Sequence, residues 1–169
     1  MIDFKVEFIN GPISLIQTEK AHFDELYLVA NNPIIWEQHP ENDRWKKEKF
    51  RVFFNDAIEN ELGCFSIFDK NYNKSFGSTR FYSYDKNDNV VRIGYTFIAP
   101  EYWGTSANNQ IKQMMLDYIF KYLDRVYFDI GECNFRSRKA TEKLGAKLFL
   151  DKGDGMLVYL LNKNTYNKS

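Results

Sequence analysis

The order in which strand-like and helix-like apolar runs follow one another restricts this chain more than any other feature. Three runs, Cys64–Asp69, Phe76–Tyr84 and Val90–Ala99, read as strands joined by the turn-rich segments Lys70–Lys74 and Asp85–Asn89. Connections that short leave neighbouring strands only the antiparallel option, so the segment is a meander. The pattern then changes. Ile111, Met114, Met115, Tyr118, Ile119 and Tyr122 fall on one helical face, and Val126–Ile130 is a short apolar run of the buried-strand type. Asn134 opens a further helix that stops at Gly145, and Lys147–Asp151 with Met156–Leu161 closes the chain as a hairpin. Ahead of the meander, Ile13–Ile16 reads as a strand. Thr18 can cap a helix carrying Phe23, Leu26, Tyr27 and Ala30, which Asn31-Asn32-Pro33 breaks. A second helix is expected from Asn42 or Asp43, burying Phe50, Phe53, Phe54, Ala57 and Ile58. The order predicts a mixed α/β (α+β) sandwich, about four helices covering a largely antiparallel sheet of about seven strands.

With 169 residues and no linker or repeat, one domain spanning 1–169 is expected. Lys and Arg number 23 and Asp and Glu also 23, so no basic excess is present to track a phosphate backbone. That argues against nucleic acid as a partner, including an RNA module built on the many aromatics. No run approaches the ~20 apolar residues that cross a bilayer, and Met1 to Leu15 lacks the order of a signal peptide. The expectation is a cytoplasmic protein away from membranes. Cys64 and Cys133 match no metal spacing and are read as reduced thiols, and no metal is expected. The polar stretch Asn162 to Ser169 is expected to fray.

Two segments carry chemistry. In Tyr95-Thr96-Phe97-Ile98-Ala99-Pro100-Glu101-Tyr102-Trp103-Gly104-Thr105-Ser106-Ala107-Asn108, a strand feeds a small-residue loop at the start of a strong helix. Such a loop can aim backbone N–H groups and the positive end of the helix dipole at a phosphate, although Gly104 alone is equally explained by a turn. In Asn134-Phe135-Arg136-Ser137, Asn134 is a good N-cap and Ser137 lies one turn in on the same side; capping by itself accounts for Asn134.

Together the segments resemble the GNAT N-acetyltransferases, specifically the RimJ/RimL-like branch. The likeness extends over nearly the whole chain through Gly77-Ser78-Thr79-Arg80-Phe81, Ile93-Gly94-Tyr95-Thr96-Phe97, Tyr102-Trp103-Gly104, Asn134-Phe135-Arg136-Ser137 and Glu142-Lys143-Leu144-Gly145-Ala146. The resemblance implies that the fourth and fifth predicted strands splay and admit the pantetheine arm of acetyl-CoA. Phe97 and Ile98 would offer it backbone groups, and the loop Trp103, Gly104, Thr105, Ser106, Ala107 and Asn108 would hold the pyrophosphate. Asn134 would bond the pantetheine amides, and Ser137 would stand near the thioester sulfur. Two positions depart from the family loop, Glu101 and Ser106. A carboxylate at Glu101 would repel phosphate, so it is expected to face solvent.

The implied reaction is attack of a neutral amine on the thioester, the acceptor being a protein N-terminus or a small-molecule amine. Candidates for the proton-accepting group are Asp129, with Glu132 beyond it at the strand end, and His39, whose ordinary pKa suits neutral pH. His22 reads as structural. Acceptor contacts are expected from Trp36 and Glu37 in the helix-connecting loop and from Arg80 and Tyr82, while most aromatics here are equally core. The alternative is a non-catalytic GNAT-fold protein that binds acyl-CoA as a sensor or interaction partner. The aromatic surplus permits a homodimer.

Overall fold

The computed structural model describes residues 1–167. Among them, eight strands form one sheet in the order β1-β2-β3-β4-β5-β6-β8-β7. The strands are β1 Phe8–Asn10, β2 Ile13–Gln17, β3 Phe65–Asp69, β4 Lys74–Asp85, β5 Val90–Ile98, β6 Arg125–Gly131, β7 Lys147–Asp151 and β8 Met156–Asn162. Every neighbouring pair is antiparallel except β5 with β6, which is parallel. The α-helices are α1 Phe23–Ala30, α2 Pro33–Trp36, α3 Lys47–Glu59, α4 Ala107–Ile119 and α5 Phe135–Lys143.

The two faces of the sheet bury different chemistry. Against α4 and α5 lie Val91, Ile93 and Ile98 of β5, Phe128 and Ile130 of β6, and Ile111, Met115 and Ile119 of α4. Against α1–α3 the packing is almost wholly aromatic: Phe23, Trp36, Phe50, Phe53 and Phe54 close over Phe97. Phe97 touches Trp36, Phe50 and Phe53 at centroid separations of 5.3, 5.8 and 5.9 Å. Rings at such distances add about 0.5–1.5 kcal/mol per pair to their area burial, so this cluster fixes the end of β5 firmly.

Several details depart from the sequence expectations. Phe8–Asn10 pairs with Ile13–Gln17 as an additional hairpin strand, turning at Gly11-Pro12 with Gly11 at φ 59°. Thr18 does not cap a helix; its hydroxyl bonds Ser66 at 2.9 Å, and Glu19 and His22 form the capping box instead. His22 is therefore structural, its Nδ1 accepting the Glu19 N–H. Asn32-Pro33 both ends α1 and begins α2, with the Asn32 side chain accepting the Ile34 N–H and Pro33 in the first turn. The following helix starts at Lys47 rather than Asn42 or Asp43, because residues 41–46 form a turn tied by Arg44–Glu41 and Lys46–Asp43 pairs.

The C-terminal stretch is not frayed as far as Asn167. A 3₁₀ turn at Lys163–Thr165 lies on Gly145, Tyr166 packs on Phe120, and the Asn167 N–H reaches the Leu144 carbonyl. Gly145 makes this possible: it stands at φ 97°, and a Cβ there would sit 2.0 Å from the Thr165 carbonyl oxygen. Lys168 and Ser169 lie outside the described residues. No helix among the described residues is long and apolar enough to cross a membrane, and Cys64 and Cys133 are unpaired, the first buried and the second exposed.

Candidate active site

Parallel pairing of β5 with β6 covers only Val90↔Arg125, Val91↔Val126 and Arg92↔Tyr127. Beyond Arg92 the strands part. β5 stays on β4 as far as Gly77↔Ile98, while β6 stays on β8 as far as Gly131↔Met156. The cause is local to Tyr95. Arg80 faces Gly94 and Ser78 faces Phe97, so Thr79 alone opposes both Tyr95 and Thr96. That is a β-bulge, which bends the strand carrying it. Tyr95 takes up the extra residue at φ 51°, a conformation that is costly for a tyrosine and that concentrates at functional sites. The aromatic cluster around Phe97 then holds the bent end in place. The result is a wedge between the carboxyl ends of two parallel strands, with α4 and α5 both starting at its mouth.

The loop ahead of α4 has the expected shape. Gly104 stands at φ 71° with open space where a side chain would be. The Thr105 hydroxyl donates to the Tyr102 carbonyl (2.6 Å) and accepts the Ala107 N–H (3.2 Å), while Ser106 Oγ accepts from Gln110 Nε2 (2.8 Å). Glu101 is exposed and turned away, with Oε1 3.2 Å from Lys74 Nζ. Its own backbone N–H and then Lys74 hold the carboxyl below the usual range. Glu101 therefore sets no free carboxylate against the positive end of the α4 dipole.

At the top of the wedge three segments meet. Trp103 donates its indole N–H to the Ile98 carbonyl (3.0 Å), and the Arg136 guanidinium stands 3.9 Å from the Trp103 ring centroid. Arg136 in turn holds Glu37 Oε1 (3.2 Å) and the Ile34 carbonyl (3.1 Å), and its backbone N–H reaches Gln38 Oε1 (3.2 Å). Pro40 lies so close to the end of β6 that a Cβ on Gly131 would come within 2.7 Å of its ring. Asn134 Oδ1 accepts the Ser137 N–H (3.2 Å), which caps α5 and leaves the Asn134 amide nitrogen as the group it can offer elsewhere. Ser137, half-buried one turn in, shares that side of the helix. One of the expected backbone groups, the Ile98 carbonyl, thus already has a partner from the chain itself.

The aromatic face of the sheet presents a polar row at the level where the strands part. Arg80 on β4 stands opposite Gly94 on β5, and Asp129 lies on β6 two residues past Tyr127. Asp129 Oδ2 accepts from Tyr82 (2.9 Å) and from Arg92 Nε (2.9 Å). Its Oδ1 lies 3.5 Å from Lys152 Nζ, an ion-pair distance with no direct hydrogen bond. Burial and the neighbouring Asp129 push the Tyr82 phenol up, so it stays a donor. Glu132 is exposed beyond the strand end, its carbonyl accepting from Arg138.

His39 differs from the expectation of an ordinary imidazole. Its Nδ1 accepts the Glu41 N–H (3.1 Å) and its Nε2 lies 3.2 Å from Arg44 Nη1. Burial, and then the Arg44 charge, lower its pKa to about 4. Trp36 is packed rather than available, donating Nε1–H to the Ala30 carbonyl (2.9 Å) beneath Phe97. Glu37 is exposed and faces Arg136.

Two residues escaped the sequence reading. Arg136 stands between Asn134 and Ser137, and its contacts with Trp103 and Glu37 leave no mark in residue order. Lys112 is 8% exposed in the buried stripe of α4, with Nζ 2.6 Å from Thr96 Oγ1 and 3.3 Å from Thr79 Oγ1. Burial lowers its pKa to about 7. A lysine in phase with Ile111, Met115 and Ile119 is the signal that could have found it. A hollow of about 1090 Å³ opens by Met1 and Tyr122 at the opposite, paired end of β5, away from the wedge.

Residues 13–147 match the family model of the acetyltransferase (GNAT) domain. Solved structures similar to this chain include a GCN5-related N-acetyltransferase from Brucella melitensis, at 17% identity and TM-score 0.80, covering 95% of this chain and 80% of that one. A GNAT-family acetyltransferase from Bacillus anthracis is 18% identical at TM-score 0.75, covering 94% and 99% of the two chains. Spermidine N-acetyltransferase from Vibrio cholerae, solved in complex with CoA and spermine, is 18% identical at TM-score 0.69, covering 93% and 99%. No curated protein sequence matches the chain significantly. A bulged strand parting from its parallel neighbour, a small-residue loop at a helix start and a match over residues 13–147 lead to one assignment: the chain belongs to the GNAT acetyltransferase family.

Proposed function

We propose that this enzyme moves the acetyl group of acetyl-CoA to a primary amine, a protein N-terminus or a small-molecule amine, by direct attack within a ternary complex. The observation that carries the reading is the end of β5–β6 pairing at Arg92/Tyr127. It leaves one edge of Phe97–Ile98 free of a neighbouring strand, and an extended pantetheine arm fits such an edge as a further strand would. Gly104 to Asn108 would take the pyrophosphate on the amides at the start of α4, and the amide nitrogen of Asn134 would meet the pantetheine.

In this reading the bulge supplies the backbone N–H that receives the developing oxyanion, a contribution of ~3 kcal/mol. Ser137 donates to the departing sulfur. Positioning supplies much of the remainder. Asp129 and His39 enter as the two candidates for proton transfer, and their contacts favour a different division of work. Asp129 holds Tyr82 and Arg92 on the acceptor face, and His39 braces Arg44, so the ammonium proton leaves through water. Gly77–Phe81, Tyr102–Gly104 and Asn134–Ser137 support the RimJ/RimL-like branch, and the separate cysteines fit a cytoplasmic setting. A homodimer would use the β7 edge, where Leu148, Phe149 and Leu150 are each about half exposed.

The test is acetyl-CoA titration by calorimetry, followed by thiol release with a panel of amines and N-terminal peptides. Saturable binding with turnover of at least one amine is expected. Absence of heat at millimolar acetyl-CoA would refute the proposal.

A further inference from the structure

Three guanidinium groups lie on the aromatic face of the sheet near the wedge, and two have carboxylate partners. Arg44 pairs with Glu41 at 3.1 Å, and Arg92 with Asp129 at 2.9 Å. The third, Arg80, is 4% exposed, and its Nε is buried with no hydrogen-bond partner among the described residues. Its guanidinium carbon lies 3.7 Å from the Tyr95 ring centroid and 5.8 Å from that of Phe53. Stacking orients the cation without neutralising it. A buried charge left unpaired is strongly destabilising, so a position like this needs an anion from outside the chain to complete it.

The surroundings say where that anion would come from. Arg80 lines an open hollow of about 300 Å³ together with Tyr82, Tyr95, Asp56, Glu59 and Asn60. It stands on β4 opposite Gly94, at the level where β5 leaves β6. One strand spacing, about 5 Å, therefore separates its strand from the edge where the amine must react. Asp56 and Glu59 on the α3 side place negative charge in the same hollow, which disfavours a multiply charged phosphate and suits a ligand whose single carboxylate on the Arg80 fork is offset by its own cationic amine.

We infer that the acceptor is an amine that also carries a carboxylate, an amino acid or short peptide, with Arg80 as the residue that selects it. The inference rests on the N-acetyltransferase reading. It separates this acceptor class from polyamines and amino sugars, which offer Arg80 nothing.

The test uses the full chain and acetyl-CoA, measuring thiol release for matched pairs that differ only in the far end: free-acid dipeptides against their amides, with spermidine as a purely cationic control. A charge-assisted hydrogen-bond pair lost from a buried site predicts that acids exceed amides in kcat/KM by about ten- to a hundredfold, mostly through KM. Arg80→Met should collapse that acid/amide ratio to within about threefold of one, and Arg80→Lys should restore part of it. Equal turnover of acids and amides by the unaltered enzyme, or preference for spermidine, would overturn the inference while leaving the acetyltransferase reading intact. Failure of every amine and of acetyl-CoA binding would overturn both. The comparison within the unaltered enzyme stands even if Arg80→Met does not fold.

Discussion

Replacing Lys112 by Met removes a buried ammonium from α4 while keeping an unbranched side chain of good helix propensity. The Thr79–Thr96 hydroxyl contact at 2.8 Å survives the change, so little polar structure is orphaned. Burial brings the Lys112 pKa from 10.5 to about 7. At ~1.4 kcal/mol per unit, that shift caps the effect of this one group near 5 kcal/mol. The sign follows from where the proton sits. Between the folded and unfolded values the unfolded chain binds a proton that the folded chain has lost, so stability rises with pH across that window. Below about pH 7 both states are protonated, and the whole cost of burying the ammonium remains. The assay is urea unfolding at half-unit steps from pH 6 to pH 9, and the wild-type minus Lys112→Met difference cancels the other titrating groups. The native protein should gain up to ~1.4 kcal/mol per pH unit around pH 8 relative to the variant, about 0.7 M in midpoint for a slope near 2 kcal/mol/M. Lys112→Met should be the more stable of the two at pH 6. Parallel pH profiles, or a variant less stable at every pH, would refute the argument that Lys112 is buried without a compensating charge.

Other outcomes follow from single contacts. Asn134→Ala should lower stability by about 1 kcal/mol through the lost α5 cap and raise the KM for acetyl-CoA, read by urea melts and steady-state kinetics. Gly145→Ala places a Cβ on the Thr165 carbonyl at a positive φ, so a loss of at least ~1 kcal/mol and faster proteolysis beyond Asn162 are expected. Phe97→Ala empties the centre of the aromatic cluster and should cost about 3–5 kcal/mol by chemical denaturation. His39→Ala should leave no missing limb near pH 6.5 in the pH dependence of kcat/KM, because the native imidazole titrates at about 4; the loss of such a limb would make His39 the base.

Much of this fold was legible because short connections and strong periodicity left few choices. The meander from Phe65 to Ile98 and the amphipathic α4 fall where the pattern put them. Boundaries decided by side-chain competition were harder. Thr18 has the chemistry of a cap, yet Ser66 across the sheet claims its hydroxyl, and Glu19 takes the role. The C-terminal residues look polar in isolation, and only the bare Cα of Gly145 lets them dock. Within the site, the loop and the Asn134 helix could be read from residue type and order. The bulge could not, since nothing in Ile93-Gly94-Tyr95-Thr96-Phe97 says that Tyr95 rather than Gly94 adopts the positive φ. Long-range partners were also invisible: Arg136 on Trp103 and Glu37, and Asp129 on Tyr82, Arg92 and Lys152, arise from strand order.

Hydrogen exchange with and without acetyl-CoA tests the wedge most directly. The account predicts slowed exchange confined to the bulged end of β5, the loop through Asn108 and the first turn of α5, with β1–β3 unaffected. Binding that protects some other surface, or that leaves these amides exchanging as before, would contradict it.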